Sequence, residues 1–214
     1  MTTIAIIDYG VGNVKSISGA FENVGAKTIV TRNRSEILDV DGVVLPGVGA
    51  FAHGMEKLNQ YDLVSIIEEV AGSGKPFLGI CLGMQMLFTS GTEFGNTPGL
   101  GLIPGRVKKL PLLNDNCQKL PHVSWNELKR PSVRKWENTV LDGIHEYDNM
   151  YFVHSFFAEP DDESDILSLT EYSDFHFCST VRRGNIFGCQ YHPEKSAGAG
   201  LKIVNNFTHQ CRGD

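Results

Sequence analysis

Apolar positions in the first ninety residues fall into two patterns that take turns along the chain. Ile4 to Asp8 is a continuous apolar run, and Asp41 to Gly47 carries Val43-Val44-Leu45 into a glycine-rich loop. Runs of this kind read as strands buried on both faces of a parallel sheet. Between them, Val14, Ile17, Ala20, Phe21 and Val24 recur at helical spacing before Gly25, Ala26 to Thr31 reads as a second strand, and Ser35 to Leu38 as a helical turn. The spacing then predicts one amphipathic helix from Met55 to Val70, followed by the short strand Pro76-Phe77-Leu78 and a helix carrying Met84, Met86, Leu87 and Phe88. Strand and helix alternating four times predict a doubly wound α/β sheet, which binds ligands at the carboxyl ends of its strands.

After Gly91 the pattern changes to short β-like pieces broken by Gly and Pro. Leu167 to Tyr172 and Phe175 to Val181 alternate as half-buried strands, and Arg183-Gly184-Asn185 reads as a hairpin turn into a strand ending at Pro193. Gly200 to Cys211 reads as a final helix. No low-complexity linker divides the chain, so residues 1–214 are expected to form a single domain, with the later strands extending or flanking the same sheet.

Charge narrows the partners. Nineteen Lys and Arg against 25 Asp and Glu give a net charge of −6, spread along the chain. This supplies no electrostatic case for nucleic acid or an anionic membrane, and points to a small molecule or a protein. The five cysteines, Cys81, Cys117, Cys178, Cys189 and Cys211, show no CxxC spacing and are expected to be free thiols in a reducing, cytoplasmic setting. Met1 to Asp8 is expected to be a first strand and not a signal peptide, and no stretch reaches transmembrane length.

Candidate chemistry centres on Gly79-Ile80-Cys81-Leu82-Gly83-Met84-Gln85. A cysteine with a glycine two residues to either side, at a strand-to-helix turn, follows the logic of a nucleophile elbow. Backbone N–H groups at the start of the helix would favour a thiolate and face an oxyanion. A buried structural cysteine would suit the same turn, so the assignment needs partners. His192-Pro193-Glu194 supplies them: in an extended chain residues i and i+2 share a face, and proline ends strand pairing there. The carboxylate of Glu194 would then hold the His192 imidazole in one tautomer. The N–H of Leu82 and an N–H from the Gly47-Val48-Gly49 segment, through Val48 or Gly49, would form the oxyanion hole. Flanking glycines let those peptide planes rotate, so the hole is expected to assemble when substrate or partner arrives. His176, Cys178, Cys189 and His192 lie on adjacent predicted strands, but alternation puts Cys189 and His192 on opposite faces, and no metal site is expected.

The Cys81 heptapeptide together with His192-Pro193-Glu194 resembles the class I (triad) glutamine amidotransferases. That resemblance implies a flavodoxin-like three-layer α/β sandwich with a mostly parallel central sheet, no cofactor, and hydrolysis of L-glutamine to glutamate and ammonia through a thioester on Cys81. Ile7 to Asn13, Pro46 to Phe51, Pro121-His122 with Trp125-Asn126, Tyr151 to Ser155 and His192 to Ser196 resemble one branch of that family. Members of the branch pair as heterodimers with a (β/α)₈-barrel cyclase of histidine biosynthesis and pass it ammonia. The branch implies that Gln85 and the backbone around His154 and Ser155 hold glutamine, and that Asn13, Trp125 and Lys195 lie near the partner interface. Ser124 and Phe156 stand where the branch often has glycine and tyrosine. These departures leave open a paralogue whose barrel partner aminates a nucleotide sugar; a silent subunit with a structural Cys81 is the alternative of another class.

Overall fold

The computed structural model describes residues 1–111, 119–131 and 136–213; Cys117 lies outside the described residues. Its elements run β1 (Thr3–Ile7), α1 (Val14–Asn23), β2 (Lys27–Thr31), α2 (Arg34–Leu38), β3 (Gly42–Leu45), α3 (Phe51–Gln60), α4 (Val64–Gly72), β4 (Phe77–Ile80) and α5 (Leu82–Met86). There follow β5 (Phe88–Gly91), β6 (Thr97–Pro98), β7 (Ile103–Lys109), β8 (His122–Glu127), β9 (Asn149–His154) and β10 (Phe156–Pro160). The chain closes with β11 (Ile166–Tyr172), β12 (Phe175–Arg183), β13 (Ile186–Cys189) and α6 (Ala197–Gln210).

One sheet joins eleven strands in the order β2-β1-β3-β4-β13-β12-β10-β7-β5-β6, with β11 paired to β12. The run from β2 to β13 is parallel throughout, and β12, β10 and β7 continue it antiparallel. Alternation along the central strands separates two cores. Ile4 and Ile6 of β1 and Leu78 and Ile80 of β4 pack toward α1 and α6, while Ala5 and Ile7 of β1 and Phe77 of β4 pack toward α2, α3 and α4. Helices thus cover both faces, and every residue of β3 and β4 is buried. This is the three-layer α/β arrangement, and it places the ends of β1, β3, β4 and β13 along one edge. Among the described residues, β8 and β9 pair only with each other, forming a two-stranded ribbon beside the main sheet.

Three local expectations change. The predicted helix over Met55 to Val70 is two helices, because Asp62 takes a left-handed conformation with φ of 54°. Leu58 and Leu63, both fully buried, are five positions apart and out of phase on one helix, and the break lets both enter the core. The helix after Cys81 stops at Met86. The carbonyls of Met86, Leu87 and Phe88 are taken by the N–H groups of Leu100, Ile103 and Gly101, so Phe88 begins a strand. β13 ends at Cys189, and Pro193–Lys195 is a 3-10 turn. His192 keeps extended backbone with φ of −100° and ψ of 96°, but Glu194 lies in the 3-10 turn, so alternation along one extended run does not govern the pair, and the strand that would relate Cys189 to His192 has already ended.

Candidate active site

Cys81 sits between β4 and α5 with φ of 54° and ψ of −110°, a backbone region that L residues enter at a cost of order 1–3 kcal/mol. Its neighbours hold it there. The Cys81 N–H donates to the Cys189 carbonyl at 2.7 Å, and the Gln85 N–H donates back to the Cys81 carbonyl at 3.1 Å. The two flanking glycines are required by close approach. A Cβ on Gly79 would lie 2.7 Å from the Met84 nitrogen, and one on Gly83 would overlap the Leu45 carbonyl. α5 is a five-residue turn, so its macrodipole is short and individual donors carry what stabilisation the sulfur receives.

The parallel pairing of β4 with β13, Ile80 opposite Cys189, brings position 192 to Cys81 across 111 residues of chain. The His192 backbone is pinned twice: its N–H donates to the Tyr151 carbonyl at 3.0 Å, and its carbonyl accepts the Ser196 hydroxyl at 2.6 Å. Ser196 Oγ in turn accepts the Tyr151 N–H at 3.0 Å. His192 Nδ1 and Glu194 Oε1 are 2.8 Å apart, with the two side chains 2% and 1% exposed. Among the described residues, His192 Nε2 and Glu194 Oε2 are buried without a hydrogen-bond partner. Burial opposes a charge on His192, but the Cys81 sulfur and the Glu194 carboxylate outweigh it and raise the imidazole to about 9. The 3-10 turn achieves what the extended-chain argument expected by a different geometry.

The N–H groups expected to form an oxyanion hole are not converged on one point. The Leu82 N–H donates to the Gly47 carbonyl at 3.3 Å, so the loop offers Leu82 an acceptor and not a second donor. Val48 is 42% exposed and Gly49 has φ of 97° with open space around it. Tyr9 anchors the loop root: its buried hydroxyl donates to the Pro46 carbonyl at 2.6 Å, and burial, with the nearby Cys81, pushes its ionisation up.

A cleft of about 290 Å³ opens beside the sulfur, lined by Val48, Gly49, Cys81, Leu82, Gln85 and Glu93 on one side and by Pro121 and Val153 to Phe156 on the other. The Phe156 carbonyl accepts from Gln85 Nε2 at 2.9 Å and faces His154 Nδ1 at 2.8 Å. A carbonyl only accepts, so His154 carries its proton on Nδ1 and its Nε2 accepts from His122 Nδ1 at 3.0 Å. Burial, reinforced by His122, lowers His154 to about 3, and it is neutral. His154 therefore bonds Phe156 and His122, while Ser155 lines the cleft.

Asn13, Trp125 and Lys195 do not reach the sulfur. Asn13 precedes α1 and its side chain makes no capping bond. Trp125, 49% exposed, stands edge-on to Tyr151 with centroids 5.9 Å apart, and Lys195 Nζ lies 5.8 Å from the Tyr151 ring centre. Val123, 53% exposed, shares the outward face of β8 with Trp125. Sequence reasoning missed Tyr9, Glu93 and Gln190. Glu93 lines the cleft and its Oε2 accepts the Phe51 N–H at 2.8 Å. Only long-range folding places it there, since it lies in the connection between β5 and β6. Gln190 directly precedes Tyr191-His192 and could have been read as part of that motif.

Fold and site together define an α/β protein that gathers a cysteine, a histidine and a glutamate at the carboxyl edge of a parallel sheet. The chain belongs to the class I glutamine amidotransferase family, whose model, described as "Glutamine amidotransferase class-I", matches residues 5–211. It is 45% identical over 204 residues, 95% of this chain and 93% of the relative, to the protein of Bacillus cereus named imidazole glycerol phosphate synthase subunit HisH. The Geobacter metallireducens protein of that name is 46% identical over 213 residues, covering 97% of this chain and 98% of its own. Among solved structures, PurLQS from Thermotoga maritima superposes with a TM-score of 0.72 at 18% identity over 98% of this chain and 99% of that one, a likeness of fold.

Proposed function

We propose that this chain is the glutaminase subunit of an imidazole glycerol phosphate synthase, hydrolysing L-glutamine and delivering ammonia to a (β/α)₈-barrel cyclase in histidine biosynthesis. The observation that carries the chemistry is the buried His192–Glu194 pair held beside Cys81, which itself lines a cleft of about 290 Å³. The observation that carries the pathway is identity of about 45% over nearly the whole chain to proteins of that name.

In this reading the Cys81 thiolate attacks the carboxamide carbon of glutamine, and the charge moves to the carboxamide oxygen. His192, protonated and oriented by Glu194, gives its proton to the departing nitrogen, leaving a thioester and ammonia. His192 then takes a proton from water as it attacks the thioester, and glutamate leaves. The oxyanion needs the Leu82 N–H, so Gly47 has to release it, and rotation of the Gly47–Val48 peptide would replace its carbonyl with an N–H. Glu93 supplies the carboxylate that suits the substrate's α-ammonium, and Gln85 and the Ser155 backbone complete the cradle. The apolar face of Val123, Trp125 and Tyr151, edged by Lys195 and Asn13, is where the barrel docks.

The pathway assignment is tested by adding the phosphoribulosyl formimino intermediate to the chain and a histidine-pathway cyclase. Stimulated glutamine hydrolysis with formation of imidazole glycerol phosphate is expected. Absence of both, with glutaminase activity toward a different barrel partner, would favour the nucleotide-sugar paralogue.

A further inference from the structure

Gln190 is fully buried, and its backbone N–H donates to the Ser179 carbonyl at 2.9 Å, one residue past the end of β13. Its side-chain amide lies 3.9 Å from Cys81 Sγ through Nε2 and 3.0 Å from Gln85 Nε2 through Oε1. The orientation of both amides follows from their surroundings. The Phe156 carbonyl can only accept, so Gln85 must turn its Nε2 toward it, at 2.9 Å. The other proton of that Nε2 points at Gln190, which must meet it with Oε1. Gln190 is then left with its N–H₂ facing the sulfur. A three-member relay anchored at Phe156 thus ends in a donor on the nucleophile.

We propose that Gln190 is a positioning residue for Cys81, its side-chain N–H holding the sulfur in its reactive rotamer and stabilising negative charge on it, with Gln85 fixing that orientation. The inference rests on Cys81 being the nucleophile. One strand end then holds the cysteine twice, by the Cys189 carbonyl at its backbone and by the Gln190 amide at its side chain. The same relay spends both amide protons of Gln85, so Gln85 can offer substrate only the acceptor Oε1. A thiolate held by an oriented donor stays nucleophilic without moving when the carbonyl carbon arrives.

The test compares Gln190→Glu and Gln190→Met with wild type in two assays. Gln190→Glu keeps the size and the acceptor for Gln85 but sets an oxygen against the sulfur; Gln190→Met removes both polar atoms. Iodoacetamide modification, read by mass spectrometry of the Cys81 peptide, is expected to slow about ten-fold at pH 7 in both variants, the cost of one hydrogen bond to a charged group. At pH 10 the deficit is expected to shrink. In the complex with a cyclase, Gln190→Glu is expected to lower kcat with KM nearly unchanged, while Gln190→Met changes both. Because Gln190→Glu also sets a buried carboxyl group near the sulfur, the uncharged Gln190→Met has to slow as well, and wild-type alkylation of Cys81 in either variant would overturn the proposal. Slowed alkylation in both variants, together with no glutamine hydrolysis by the wild-type complex, would uphold the positioning role and overturn the functional reading instead.

Discussion

The backbone N–H of Leu82 donates to the carbonyl oxygen of Gly47 at 3.3 Å. The group proposed to stabilise an oxyanion at Cys81 is thereby engaged by an acceptor from the neighbouring loop. Loss of one such donor costs about 10²–10³ in kcat. The isolated chain is therefore expected to hydrolyse glutamine about 100-fold more slowly than its complex with the cyclase. Steady-state glutamate release with and without partner checks this, and equal rates would show that the Gly47 contact does not limit catalysis.

Glycines around the site separate into two kinds. A methyl on Gly83 meets the Leu45 backbone, whereas a methyl on Gly49 meets open space and is opposed only by φ of 97°. Gly83→Ala is expected to destabilise by about 3 kcal/mol or more through a backbone clash that nothing flexible can relieve. Gly49→Ala is expected to cost roughly 1–2 kcal/mol. Urea unfolding of the two variants orders them, and the reverse order would contradict the packing described around Cys81.

Glu194 and the Cys81 sulfur together lift His192 to about 9 against the opposing effect of burial. Below that value the imidazole holds the proton it gives to the leaving nitrogen, so activity should fall as pH rises through it. Removing the carboxylate charge lowers the imidazole. Glu194→Gln is expected to lower kcat and to move the alkaline limb down by about one pH unit. An unmoved limb would mean that another group sets it.

His154 behaves in the opposite sense. Its folded value is depressed to about 3 from the ordinary 6.5, by burial first and then by His122. The unfolded chain therefore binds a proton that the folded chain refuses, and stability present above pH 6.5 is lost as pH falls toward 3. The loss from this residue is on the order of 2 kcal/mol by pH 5. Urea midpoints at pH 8 and pH 5 should differ less in His154→Gln than in wild type. An identical difference would show that His154 is not the residue responsible.

What could be read from the sequence was what adjacent residues decide. Ile4 to Ile7 and Val43 to Leu45 are unbroken apolar runs because helices cover both faces of their strands, and their assignment needed no distant contact. The Cys81 turn was legible from its glycines, which the backbones of Leu45 and Met84 do require. The His192–Glu194 contact was expected from extended alternation and is made through a 3-10 turn that Pro193 opens, its fixed φ suiting the first position of such a turn. Glu93 and Tyr9 were not legible, since each acts on a partner more than thirty positions away that only the folded sheet brings near; Gln190 stands beside the His192 motif, but its partner Cys81 is 109 positions away. The break at Asp62 was hidden because left-handed backbone at a non-glycine residue leaves little trace in hydrophobic periodicity.

Everything proposed for the site depends on the Cys81 sulfur being the atom on which glutamine is opened. The most direct test is glutamate release by wild type and Cys81→Ala, each saturated with the barrel cyclase and supplied with glutamine. Turnover is expected in the wild-type complex and its loss in Cys81→Ala, with complex formation and thermal stability retained. Equal rates from the two complexes would contradict this role and leave Cys81 a structural residue.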